Sequence, residues 1–106
     1  MNEERDAIDL GPPASYPGLP AEVTVDGAPY WLVRGSGEEY RLLMAVCPHA
    51  GGDVRPHEGI FFCPLHFWTF DGETGVCLND PDHRLPYRKV IERSGRLYAV
   101  GEPCYE

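Results

Sequence analysis

Apolar and polar residues alternate in short runs along this chain, and no stretch keeps a helical period with caps. Residues 21–25 (Ala-Glu-Val-Thr-Val) alternate as a strand does. Asp26-Gly27 then supplies a tight hairpin turn, and residues 30–33 read as the returning strand. Residues 40–46 form a third run, apolar enough for a central strand. The chain reads as loop from Cys47 until Ile60-Phe61-Phe62. Residues 67–70 are strand-like, 71–75 a turn, and residues 88–92 and 96–100 a last hairpin around Ser94-Gly95. The pattern predicts an all-β fold, a small antiparallel sandwich or barrel.

The first twenty residues break this pattern. Pro12, Pro13, Pro17 and Pro20 interrupt any ladder, so residues 1–20 read as an extended or mobile arm. The alternative is a segment that packs along the domain through Tyr16 and Leu19. Residues 21–106 are then the folded domain. Its length suits one domain with one modest core: the whole chain has 106 residues. The 12 glycines and 11 prolines fit short strands and many turns, and disfavour a helical bundle.

Charge narrows the function. Nine basic and 17 acidic residues leave a net charge of −8, which argues against a nucleic-acid surface and favours partners with a basic face. No apolar run approaches the roughly 18 residues of a membrane span. The polar N-terminus does not read as a secretory signal, so a cytoplasmic location is expected. In that setting, the four cysteines point to metal binding or catalysis rather than disulfides.

Two segments hold the chemistry: Cys47-Pro48-His49 and Cys63-Pro64-Leu65-His66. Each offers one thiolate and one imidazole at the end of an apolar run, and thirteen residues separate His49 from Cys63. Two cysteines and two histidines suit tetrahedral zinc, or a [2Fe–2S] cluster with histidines on one iron. Zinc knuckles mostly pair two cysteines within one loop. One cysteine and one histidine per loop instead suits two metal atoms shared between the loops.

These motifs, with Phe67-Trp68-Thr69-Phe70-Asp71 and Thr74-Gly75-Val76-Cys77-Leu78 after them, resemble Rieske-type [2Fe–2S] proteins. The resemblance covers about residues 40–100. It is closest to Rieske ferredoxins, the Rieske domains of ring-hydroxylating oxygenases and the small subunits of nitrite reductases. It implies two antiparallel sheets with a cluster-binding loop subdomain and one [2Fe–2S] cluster per chain. Cys47 and Cys63 would hold the inner iron, and His49 and His66 the outer one. It further implies a one-electron carrier rather than an enzyme, a monomer that takes electrons from a reductase and passes them to a terminal oxygenase. The alternatives are a fixed subunit of a larger enzyme, such as a nitrite-reductase-type complex, and a zinc-binding interaction module.

The chain departs from the family pattern in three ways. The gap between His49 and Cys63 is short, which implies a clipped hairpin around Pro56-His57-Glu58-Gly59. Phe67 stands where many relatives have glycine. Gly52 and Leu65 stand where respiratory relatives have a bridging cysteine pair.

Trp68 and Phe70 replace the serine and tyrosine hydroxyls of high-potential relatives. That predicts a potential near the bottom of the range of about −150 to +300 mV. Charge counting explains why the range lies above that of all-cysteine clusters: two thiolates and neutral histidines leave the oxidised cluster neutral. Reduction should raise the pKa values of His49 and His66, coupling electron and proton uptake.

The remaining candidates have plainer readings. Cys77 is expected as a buried small hydrophobe and Cys104 as a free thiol, with a Cys77–Cys104 disulfide as the minor alternative. His57 and His83 are expected at the surface, and Trp31, Tyr40 and Tyr98 in the core.

Overall fold

The computed structural model describes residues 7–35, 39–46, 53–64 and 67–104. Among the described residues, nine strands form two antiparallel sheets. The larger has six: β1 (Ile8–Gly11), β2 (Ala21–Val25), β3 (Ala28–Arg34), β4 (Tyr40–Met44), β8 (Tyr87–Arg93) and β9 (Arg96–Cys104), in the order β1-β9-β8-β4-β3-β2. The smaller has three in sequence order: β5 (Arg55–His57), β6 (Ile60–Cys63) and β7 (Trp68–Asp71). Among the described residues, no helix is long and apolar enough to cross a membrane.

Turn chemistry sets the hairpin registers. Asp26-Gly27, Glu58-Gly59 and Ser94-Gly95 each put two consecutive residues at positive φ, between 47° and 87°. That geometry closes two-residue hairpins whose twist matches the strands, and it pairs Val25 with Ala28, His57 with Ile60 and Arg93 with Arg96. The expected hairpins at Asp26 and Ser94 are therefore present. The third is the hairpin that the short gap between the two motifs implied around Pro56-His57-Glu58-Gly59, and it corrects the plain loop reading there: Arg55–His57 pairs with β6. Pro56 is tolerated there because β5 is an edge strand.

The expected arm also gives way from Ile8 onwards. β1 pairs with β9, and Arg96 Nη2 meets Asp9 Oδ2 at 2.9 Å. The Arg96 guanidinium, helped by the Gly11 N–H, holds the Asp9 carboxyl below the usual carboxylate range. After a short 3₁₀ turn (Pro13–Ser15), Tyr16 packs on the core and its hydroxyl donates to the Leu10 carbonyl at 2.5 Å. The proline-rich segment thus packs along the sheet through Tyr16, while Leu19 stays exposed.

β3 and β4 wall off two cores. On one face Tyr30, Leu32 and Leu42 join Leu10, Val25, Val90, Leu97 and Ala99. On the other, Val33 and Leu43 join Val54, Phe61, Cys63, Phe70, Cys77 and Leu85, filling the space against the small sheet. This period-2 division explains why residues 40–46 read as a buried, continuous apolar run. Trp31 packs against the second core and Tyr40 against the first, while Tyr98 is half-buried.

The small sheet is an insertion. β4 and β8 are neighbours, with Arg41 opposite Lys89, and the chain between them builds β5–β7 and returns. Isolated bridges Phe70↔Cys77 and Val76↔Arg84 carry it back, and the Leu85 N–H donates to the Gly75 carbonyl at 2.8 Å.

Candidate metal centre

The first loop expected from the sequence, residues 47–52, is flanked by the bridge Val46↔Asp53 and by the Val54 N–H donating to the Ala45 carbonyl at 3.0 Å. The second, residues 64–67, is flanked by β6 and β7, whose register sets Cys63 opposite Trp68. β5 pairs Arg55 with Phe62, so the chain entering β5 from the first loop runs beside the chain leaving β6 into the second. Backbone topology alone therefore brings the two loop bases together.

Cys63 is the expected ligand that falls within the described residues. It is 0% exposed, its thiol is free, and it sits at the end of β6 among Val54, Phe61 and Phe70. A buried thiol at the mouth of a loop suits a soft metal ligand, because burial there excludes water from the sulfur. Cys47, His49 and His66 lie outside the described residues, as do Gly52 and Leu65. Cys77 is also a free, buried thiol, packed in the same core as expected. The side chain of Cys104 lies outside the description.

Support for the loops comes from both sides. Trp31 donates its indole N–H to the Val54 carbonyl and packs its ring 6.1 Å from Phe61. Trp68 is half-buried and lies 5.4 Å from the His83 ring. His83 is held in turn by its N–H on the Asp80 carbonyl and by the Cys77 N–H on its own carbonyl. His83 is exposed as expected, but its tilted ring contact with Trp68 was not legible in the sequence. His57, also exposed, stands edge-on to Phe62 at 5.8 Å.

Beyond β7 the turn is built on Asp71. Its Oδ2 accepts from the N–H groups of Glu73 and Thr74 and from the Thr74 hydroxyl. Partial burial pushes the Asp71 carboxyl up, but those hydrogen bonds outweigh it and hold the group below its ordinary value.

The second loop closes with the Phe67 N–H donating to the Cys63 carbonyl at 2.7 Å. That closure puts Phe67 at φ 58°, left-handed backbone that favours glycine.

The sequence profile of the Rieske [2Fe–2S] domain matches residues 8–89. The chain belongs to the Rieske [2Fe–2S] domain family. Its cofactor is one [2Fe–2S] cluster per chain, and its barrel-like large sheet with a small second sheet is the Rieske fold.

A cholesterol 7-desaturase of Ciona intestinalis is 33% identical over 94 residues, covering 85% of this chain and 18% of that protein. The chain spans only about a fifth of the length of the curated relatives it matches. Among solved structures, a chain in the complex of reduced oxygenase and oxidized ferredoxin of carbazole 1,9a-dioxygenase superposes with a TM-score of 0.70. It has 22% identity and covers 99% of this chain and 100% of its own. A protein described as the small subunit of an NADH-dependent nitrite reductase from Mycobacterium tuberculosis gives 0.63, at 21% identity, over 91% and 95%.

Proposed function

We propose that this Rieske domain is a one-electron carrier in which Cys47 and Cys63 hold the inner iron and His49 and His66 the outer one. The observation that supports it best is the fully buried Cys63 thiol at the shared mouth of the two loops. When bound, the cluster supplies reversible one-electron storage. The chain's own residues anchor and shield it. Val54, Phe61 and Phe70 keep water from the Cys63 side, and the Trp31 bond to Val54 fixes the base of the first loop. The chain then takes electrons from a reductase and delivers them to a terminal oxygenase, as a monomer that docks on a basic face and does no bond chemistry of its own.

Anaerobic purification with iron and sulfide analysis tests this reading. Two irons and two sulfides per chain are expected, with a reduced EPR signal of average g below 2. His66→Ala should abolish that signal, and Cys77→Ser should keep it. A colourless protein with one zinc per chain would overturn the proposal.

A second reading is a fixed electron-transfer domain of a larger enzyme. The curated relatives favour it, because this chain matches only a fraction of their length. Stable co-purification with a large subunit would select it over the diffusing carrier.

A further inference from the structure

An open cavity of about 440 Å³ lies between the β2–β3 hairpin of the large sheet and the chain that leads into β5. Pro29 and Trp31 line it from the large sheet, and Val54 and Pro56 line it from the chain entering the small one. Anchoring a cluster makes no use of this space.

What the walls present to a ligand follows from where their donors go. The Trp31 indole N–H is engaged by the Val54 carbonyl at 2.8 Å. The Val54 N–H donates to the Ala45 carbonyl at 3.0 Å, and the Ala45 N–H to the Pro29 carbonyl at 2.9 Å. Pro29 and Pro56 carry no N–H at all. These walls therefore show a ligand aromatic ring and hydrocarbon rather than N–H groups. The Trp31 bond also holds the indole in place before anything binds, so binding need not order it.

Charge at the rim completes the selection. Glu22 stands directly opposite Trp31 in the β2–β3 ladder, so its side chain and the indole share one face of the sheet. Asp53, next in the chain to Val54, lines the same cavity, and both carboxylate residues are exposed. Arg55 is the one basic residue that lines it. Two carboxylates beside an aromatic ring attract a cation, and a quaternary ammonium group, which needs no hydrogen-bond partner, suits such a setting best. An anion would meet Arg55 alone and be repelled by both carboxylates.

We infer that this cavity is a binding site for a small organic cation of the quaternary ammonium type. The inference stands apart from the carrier role, since it draws on neither the cluster nor a partner protein. The three charged rim residues are exposed, so salt screens them. The expected affinity is accordingly modest, with a Kd of about 1 mM at low salt.

Choline is the probe, and 3,3-dimethylbutan-1-ol, in which carbon replaces its nitrogen, is the neutral control. The cluster-loaded chain in its oxidised state is titrated with each. NMR follows the Trp31 indole, with the Trp68 indole as internal reference. Choline should shift the Trp31 resonances and saturate, and the alcohol should bind about ten-fold more weakly or less. Glu22→Gln and Asp53→Asn, both at exposed positions, should each weaken choline about three-fold. Arg55→Ala should tighten it by a similar factor, because a repelling charge is gone. Added salt should weaken it.

Equal affinity for choline and the alcohol would overturn the inference, because the cavity would then select hydrocarbon alone. So would Trp31 resonances that choline leaves unmoved well above the expected Kd, or unchanged choline affinity in both carboxylate variants. A preference for acetate over choline that Arg55→Ala abolishes would overturn it too, since the cavity would then be an anion site.

Discussion

The indole N–H of Trp31 lies 2.8 Å from the carbonyl oxygen of Val54, a bond between β3 of the large sheet and the chain leading into β5 of the small one. It joins the scaffold to the first loop at the point where that loop comes home. Trp31→Phe keeps most of the ring packing on Phe61 but leaves the Val54 carbonyl without this donor. The expected loss is about 1–3 kcal/mol of stability, read by denaturant unfolding. Hydrogen exchange in residues 53–57 should quicken more than in β8 and β9.

The Asp71 turn should give the domain an acid-sensitive element. Its carboxyl is held below the ordinary value of about 3.9. The stabilisation is therefore fully present above that value and lost as pH falls through the lowered one. Asp9, lowered by Arg96, acts in the same direction at β1. Asp71→Ala should cost on the order of 1 kcal/mol at neutral pH, since the group is largely solvated. The difference from wild type should shrink as pH falls through the lowered value. Thermal melts across the acid range measure this.

Gly72 lies against the backbone of the neighbouring hairpin turn. A Cβ there would run into the Gly59 carbonyl oxygen, which is backbone and cannot swing away. Gly72→Ala should destabilise by about 1–3 kcal/mol. Gly95→Ala has open space around it and only its positive φ to strain, so it should cost less. Paired unfolding curves distinguish steric from conformational cost.

The cluster should sit at the low end of the Rieske potential range, near −150 mV rather than about +300 mV. Phe70 is fully buried and has no hydroxyl, and the Thr69 hydroxyl donates to Asn79 Oδ1 at 3.0 Å. Hydroxyl donors to sulfide would favour the reduced, more negative state, and β7 offers none free for that task. A redox titration near the top of the range would contradict this expectation.

Much of the fold was legible because its signals are local. Asp26-Gly27 and Ser94-Gly95 announce their hairpins within two residues, and the alternation of residues 21–25 does the same for β2. The family was legible because cysteine and histidine paired in two short proline-containing motifs have few other uses. What escaped depends on distant partners. β1 is four residues long and is held by β9, with Arg96 reaching back to Asp9 from the far end of the chain. The hairpin at Pro56-His57-Glu58-Gly59 was expected, but not that its first arm reaches back to Arg55 as an edge strand on β6. The tilted ring contact of His83 with Trp68 leaves no trace in the order of residues, because it is imposed by loop closure in three dimensions.

The insertion of the small sheet between two paired strands bears on how the protein matures. β4 and β8 hydrogen-bond directly, and among the described residues between 45 and 86 none belongs to a strand of the large sheet. The barrel is therefore expected to close without iron, and cluster assembly to be a late, local event at the mouth of the scaffold. Loss of the metal should loosen that mouth first and leave the hydrogen-bonded wall behind it standing.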